Sequence, residues 1–174
     1  MLFGNKNEFA VEAIHERLSD DETHVFGRMC LWLGGEMLGD LSEPSCMLDV
    51  TAGFFESILG RFSDLSVQEF SGLSDSEAFN LLNSKIYEDD TRSADQVATD
   101  SRIYFKFDFL TNGGESFDNS KSFIVVEKGS VRVLFYNYDV DKLFSHKVPI
   151  FEFKTCINQF LAWYHSIRSK LTCC

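Results

Sequence analysis

A strand–turn–strand segment near the N-terminus constrains the fold of this chain most strongly. Residues 25–33 (VFGRMCLWL) are rich in β-branched, aromatic and long apolar side chains, with Arg28 as their single charge, and this composition is typical of a β-strand. Gly34 and Gly35 follow, and such a pair supplies the positive φ angles of a tight hairpin turn. Residues 36–38 begin the return strand. Because apolar side chains alternate onto both faces of the first strand, we expect it to lie inside a sheet that is covered on at least part of each face.

Short motifs around this hairpin form a recognisable pattern. They are Leu2-Phe3-Gly4, Phe9-Ala10-Val11-Glu12, Gly27-Arg28, Trp32, Gly34-Gly35 and Leu38-Gly39-Asp40. With them, the first quarter of the chain resembles the immunity protein 42 family of bacterial polymorphic-toxin systems. The resemblance implies a small cytoplasmic protein that binds and neutralises a cognate toxin domain, with no catalytic residues. Without the resemblance, the hairpin indicates no more than a core element of a sheet.

The charge balance limits the class of partner. The chain carries 27 acidic against 16 basic residues, for a net charge of −11, whereas nucleic-acid binding requires a basic patch. We therefore expect no nucleic-acid partner, and a basic protein partner fits the charge. The alternative interpretation is that acidity only keeps a cytoplasmic protein soluble. The 18 phenylalanines indicate an aromatic interior or an apolar binding face.

The cysteines and the hydropathy favour a reducing compartment. The cysteine count is odd and the spacing is scattered, which does not fit a disulfide framework; the five are Cys30, Cys46, Cys156, Cys173 and Cys174. The first three lie in apolar patterns and are interpreted as buried thiols of a cytoplasmic protein. No apolar run approaches the roughly 20 residues of a membrane span, so no membrane association is expected. The terminal cysteine pair is interpreted as a flexible tail, with a double-cysteine prenylation signal as the less favoured alternative.

We predict one α+β domain over residues 1–172, with 173–174 as the tail. The predicted architecture is a mostly antiparallel β-sheet of two meanders with about three helices packed on it. The predicted strands cover 8–18, the hairpin, 103–109, 122–127, 130–136 and 142–148. The predicted helices cover 47–62, a segment that starts at a Ser74–Glu77 capping box, and 151–170.

Two details of these elements can be tested against a structure. The first helix is expected to be capped by Ser42 or Ser45 around Pro44, with Phe54 among the residues of its apolar stripe. The strand at 103–109 follows from strict alternation, with Ile103, Phe105, Phe107 and Phe109 on one face.

The sequence contains no motif that carries known chemistry. The four histidines lack metal-ligand spacing, and nucleophile-elbow, dinucleotide and phosphate-loop motifs are absent. We therefore predict no catalytic, cofactor-binding or metal-binding residues, and no cofactor. Two other classes remain open: a small enzyme with a cleft between sheet and helices, because catalytic groups converge in space rather than in sequence, and a peptide-binding adaptor module. The oligomeric state is left open.

The strongest acidic patch follows the second predicted helix and supplies a binding hypothesis. Five acids stand here against Arg92: Glu88, Asp89, Asp90, Asp95 and Asp100. The segment 88–100 is interpreted as a loop or a short loose helix at the interface, with Tyr87 and Tyr104 as anchor residues. A toxin that cleaves nucleic acid must be basic to hold phosphate, so a nuclease is the toxin class that this patch fits. The alternative is a solvated loop without a partner.

Overall fold

The chain forms two antiparallel sheets in a computed structural model that describes residues 1–17, 23–88 and 91–171. The first sheet consists of β1 (Leu2–Gly4), β2 (Phe9–His15), β3 (Phe26–Leu33), β4 (Glu36–Leu38) and β5 (Cys46–Met47). The strand order is β1-β2-β3-β4, and β5 pairs with the start of β3. The predicted hairpin is confirmed, because β3 and β4 pair across Gly34 and Gly35, whose φ angles are +61° and +88°.

The second sheet is formed by the later meander. It consists of β6 (Ser120–Glu127), β7 (Ser130–Asn137) and β8 (Lys142–Pro149), paired in that order. The hairpin predicted around Lys128-Gly129 is confirmed, with Val126 opposite Val131. The two meanders therefore form two separate sheets. They meet where Gly34 of the first hairpin touches His146 of β8, so closely that a Cβ at Gly34 would lie 2.6 Å from the ring.

Four α-helices occur in the described residues, one more than predicted. They are α1 (Leu48–Gly60), α2 (Asp75–Ile86), α3 (Ala94–Tyr104) and α4 (Ile150–Leu171), accompanied by short 3-10 turns at Phe62–Leu65, Gln68–Phe70, Phe105–Phe107 and Glu115–Phe117. The capping box of α2 is confirmed, since Ser74 and Glu77 bond reciprocally. Helix α4 contacts strands of both sheets. Among the described residues, none of the helices has the length and apolar character that a membrane span requires.

A cluster of phenylalanine rings lies where the helices meet the sheets. This central phenylalanine cluster comprises Phe9, Phe55, Phe109, Phe153 and Phe160, all at most 1% exposed. The ring centroids of Phe55 and Phe160 lie 5.4 Å apart with perpendicular planes, and those of Phe9 and Phe153 lie 5.0 Å apart. Such contacts add to the large apolar area that each ring buries. The cluster therefore joins β2, α1 and α4 to the chain just before β6.

The start of α1 differs from its prediction. Neither serine caps the helix; Met47 is the N-cap residue and contributes no side-chain hydrogen bond. The reason is that Cys46 and Met47 pair with β3, which keeps the chain extended past the serines. Ser42 instead donates its backbone N–H to Asp40. Phe54, expected in the buried stripe, is only partly buried, because the inner face of α1 is formed by its neighbours Thr51, Ala52, Phe55 and Ile58.

The predicted strand at 103–109 is wrong. Helix α3 runs to Tyr104, a 3-10 turn covers Phe105–Phe107, and only Asp108 makes an isolated bridge, to Phe123 of β6. A capping box at Ser93 and Gln96 starts a helix that continues through the first part of the alternating run, and this local signal outweighs the alternation. Ile103 and Phe105 are consequently exposed, whereas Phe107 and Phe109 are buried as predicted.

The burial of α1 leads to a stability prediction. Phe55→Ala should lower the free energy of unfolding by about 3–5 kcal/mol, because it opens a cavity inside the central phenylalanine cluster. Phe54→Ala, one residue away on the outer side, should cost about 1–2 kcal/mol. Urea unfolding monitored by circular dichroism measures both. Equal losses for the two variants would contradict this orientation of α1.

Candidate interaction surface

The acidic segment 88–100 is mostly helical. Glu88 follows the end of α2, Asp95 lies in the first turn of α3, and Asp100 lies in its second half. Asp89 and Asp90 lie outside the described residues. Of the two alternatives expected here, a loop or a short loose helix, the structure shows a helix from residue 94 onwards. The sequence signal that reveals it is Ser93-Ala-Asp-Gln96, in which the Ser93 N–H donates to Gln96 Oε1 at 2.9 Å and the side chain of Ser93 accepts from the Gln96 N–H.

Helix α3 is unusually exposed for an element that packs on a core. Of its 11 residues only Tyr104 is buried. A helix this short is marginal in isolation, so contacts at its ends must hold it. One end is held by the capping box at Ser93. The other is held by the Tyr104 hydroxyl, which donates to Glu69 Oε1 at 3.0 Å. Most of the helix surface therefore faces solvent on a fixed support.

Asp100 belongs to a contact between α2 and α3 and contributes little free charge to the surface. Arg92 Nη1 donates to its carboxylate at 2.7 Å and Lys85 Nζ at 3.2 Å. The hydrogen bond from Arg92 is the main reason why the pKa of Asp100 lies below its ordinary value. No cation of the described residues forms a salt bridge with Glu88 or Asp95. Among the described residues of this edge, the outward negative charge therefore comes from those two side chains.

The two tyrosines predicted as anchor residues support this surface from beneath. Tyr104 is 9% exposed, and burial together with the hydrogen bond to Glu69 raises the pKa of its hydroxyl. Tyr87 is partly buried and donates its hydroxyl to Asp108 Oδ1 at 2.7 Å. Its ring packs against Phe123. The apolar groups that reach solvent beside them are Ile103 and Phe105, which are 47% and 50% exposed.

A cleft of about 410 Å³ separates Phe105 from the outer side of α1. The residues that line it come from α1, from Arg61 directly after α1, and from the segment that follows α3; they are Asp49, Val50, Gly53, Phe54, Ser57, Arg61, Phe105 and Asp108. The partial exposure of Phe54 is explained by this cleft, since its ring forms one wall. The sequence prediction missed the cleft because it assigned Phe105 to the inner face of a strand.

Asp108 is the most unusual polar residue of this cleft. It is 1% exposed because it lies between Phe107 and Phe109, both buried. Its Oδ1 accepts from Tyr87, but its Oδ2 has no hydrogen-bond partner in the described part of the chain. The hydroxyl of nearby Thr111 donates to the Ser122 carbonyl oxygen at 3.3 Å and also acts to lower the pKa of the Asp108 carboxyl.

The environment of Asp108 disfavours its charge. Burial raises the pKa of its carboxyl, and the hydroxyls of Thr111 and Tyr87 and the charges of Arg61 and Lys121 oppose that only in part. Arg61 itself makes no ion pair with Asp108. Its Nε donates to the Lys106 carbonyl oxygen at 3.3 Å, and its Nη1 donates to Ser57 Oγ.

Two of the four histidines lie beside a carboxylate, and the other two, His15 and His146, each have a buried Nε2 without a hydrogen-bond partner among the described residues. His24 Nδ1 lies 2.9 Å from Asp49 Oδ2, and His165 Nε2 lies 3.0 Å from Glu56 Oε1. The three cysteines expected as buried thiols are buried and free. Burial raises the pKa of the Cys30 thiol to about 12, which makes it a poor nucleophile. Within residues 1–17, 23–88 and 91–171, no group of three or more His, Cys, Asp and Glu side chains could hold a metal ion.

Comparison with known families identifies the chain. The family model of immunity protein 42 matches residues 1–163, nearly the whole length. The chain belongs to the immunity protein 42 family. This confirms the resemblance that the N-terminal motifs indicated and extends it far beyond the first quarter. Immunity proteins bind and neutralise cognate toxins, so the function of this member is toxin neutralisation, and family membership indicates an inhibitor rather than an enzyme.

A solved structure gives independent support for the fold. The crystal structure of CdiI from Burkholderia dolosa AUO158 superimposes with a TM-score of 0.69 over 93% of this chain and 99% of that chain, at 16% sequence identity. The two proteins therefore share a fold, and at this identity the comparison carries no residue roles. No similar sequence was found among curated proteins.

The raised pKa of Asp108 predicts how stability depends on pH. The folded state holds this proton more tightly than the unfolded state does. The carboxyl therefore lowers stability progressively as the pH rises from the ordinary aspartate value of 3.8 through the raised value. In Asp108→Asn that penalty is absent, so the variant should gain stability relative to the parent across this range. Urea unfolding of both proteins at a series of pH values measures it. If the free energy of unfolding of the parent instead rises relative to that of the variant as the pH rises, the result would contradict the burial of this charge.

Proposed function

We propose that this immunity protein neutralises its toxin by stoichiometric binding in the cytoplasm, and that the toxin domain is basic. The charge supports this: a net −11 attracts a basic partner, and enzymes that cleave nucleic acids need basic surfaces to hold phosphate. A nuclease is thus the toxin class that fits best. The buried free thiols Cys30, Cys46 and Cys156 support the reducing compartment.

The observation that carries the proposed site is the exposure of α3. Its surface bears the exposed apolar groups Val97 and Ile103, with Phe105 directly after it, beside the acids Glu88 and Asp95. Exposed apolar groups next to unpaired charges are typical of an interface. We propose that the predicted segment, Tyr87 to Tyr104 with its acids Glu88, Asp89, Asp90, Asp95 and Asp100, docks the toxin. Ile103 and Phe105 would be the contacting anchor residues, and the two tyrosines would support them.

The two parts of this surface would have different effects on binding. Exposed acids act over a distance set by ionic strength, so they would mainly speed encounter. The apolar side chains lose contact with water only in the complex, so they would mainly slow release. Inhibition would then need no chemistry by the immunity protein, and we propose that it has no catalytic centre.

Charge reversal tests the docking surface. Glu88→Lys with Asp95→Lys should slow association with the cognate toxin domain by about 10-fold at low salt and flatten its salt dependence. Folding should change little, because exposed charges contribute little to stability. Stopped-flow or surface plasmon resonance kinetics at low and high salt measure the effect.

A matched control separates local from global charge. Glu36→Lys with Asp118→Lys makes the same change in net charge at two exposed acids outside the segment. The control should slow association less than the α3 variant does. If both variants follow the same salt dependence, only the overall charge steers the toxin, and the docking face lies elsewhere.

Alanine substitutions test the absence of a catalytic centre. Single changes of His15, His24, His146, His165 and Cys30 to alanine should leave protection against the toxin at the parent level whenever the variant folds. Cell survival during toxin expression, together with a melting curve for each variant, measures this. A folded variant that still binds the toxin yet fails to protect would favour the alternative that the protein is an enzyme.

A further inference from the structure

We propose that the cleft between α1 and Phe105 receives a basic side chain of the toxin, whose cationic end pairs with Asp108. The inference rests on the proposed function, because it names the chemistry of one contact between the two proteins. The occupant is an arginine or lysine side chain. Its aliphatic part would lie along Val50, Phe54 and Phe105, and its charge would reach the buried carboxylate.

The first argument is the unpaired oxygen. A polar atom buried without a partner costs free energy, so native proteins rarely keep one. Asp108 Oδ2 is such an atom, in a residue 1% exposed, and it borders the cleft. When the carboxyl is ionised it only accepts, so its missing partner is then a hydrogen-bond donor. A cation placed beside it would favour that ionised form and offset the cost of burial.

The second argument is the charge of the cleft. Its lining contains two carboxyl groups, Asp49 and Asp108, and one guanidinium, Arg61, so its net charge is negative when both carboxyls are ionised. Arg61 is held by Ser57 and the Lys106 carbonyl oxygen rather than by Asp108. The side chain of Asp49 is occupied by Val25 N–H, His24 and the Tyr164 hydroxyl. Asp108 is therefore the carboxyl of the cleft that can accept from a cation other than Arg61.

The third argument is the shape and composition of the walls. Long basic side chains bury their methylene stems on apolar surface while their charge meets a polar group. Phe54 and Phe105 supply such surface on opposite sides of the cleft, and Phe105 is 50% exposed. The cleft is also continuous with α3, because Phe105 directly follows that helix. A toxin docked on α3 can therefore reach the cleft.

Binding to the cognate toxin domain is the first arm of the test. Asp108→Asn should weaken affinity by about 30-fold or more, the usual cost of removing one member of a buried charge pair. Phe105→Ala should weaken it by about 10-fold. Phe151→Ala removes the same side chain at an exposed position outside the cleft, and is expected to stay within about two-fold of the parent. Melting curves check that each variant folds. Parent-level affinity for both cleft variants would overturn the inference.

A small probe is the second arm and does not depend on the toxin. Butylguanidinium and butylammonium are titrated into the ¹⁵N-labelled protein. Chemical shifts of Val50, Phe54 and Phe105 should move in the parent and in Phe151→Ala, and not in Asp108→Asn. Identical shifts in the parent and Asp108→Asn, or none at these residues, would overturn the inference. If the parent does not bind the toxin domain, the proposed function fails and the probe alone decides this inference.

Discussion

The packing of the central phenylalanine cluster is the interaction on which the rest of the structure depends. Phe55 contacts Phe160 and Phe109, and Phe109 contacts Phe153, so one set of rings positions α1, α4 and the chain before β6. Because Phe109 is held in this cluster and Phe107 is held by Phe70, Asp108 between them is forced into the interior. Phe105, two residues before Phe107, is left at the surface. The positions of Asp108 and Phe105 in the cleft thus follow from the way the core rings pack.

The elements with strong local signals could be predicted from the sequence. Gly34-Gly35 and Lys128-Gly129 identified two hairpins, Ser74 and Glu77 identified the start of α2, and the apolar period identified α4. The segment 103–109 could not be assigned correctly because its apolar alternation coincides with the end of a helix, and alternation alone does not report which residues the tertiary structure covers. The capping box at Ser93 and Gln96 is the local signal that favours a helix over a strand here.

The candidate site was only partly accessible from sequence. The acidic composition of 88–100 is visible in the residues, but Asp100 is neutralised by Arg92 and Lys85, which requires knowledge of how α2 and α3 pack. The cleft at Phe105 depends on residues about 50 positions apart in the chain, and no local pattern relates them. A lone aspartate between phenylalanines, as in Phe107-Asp108-Phe109, is the one sequence feature that could draw attention to it.

The central claim is that this protein acts by occupying the toxin rather than by catalysis. A titration of toxin activity tests this directly, with the cognate toxin domain held at a fixed concentration well above the dissociation constant. The account predicts that activity falls linearly as immunity protein is added, reaches zero at an equimolar amount and does not change with further incubation. Complete loss of toxin activity at a small fraction of that amount, increasing with time, would contradict the account.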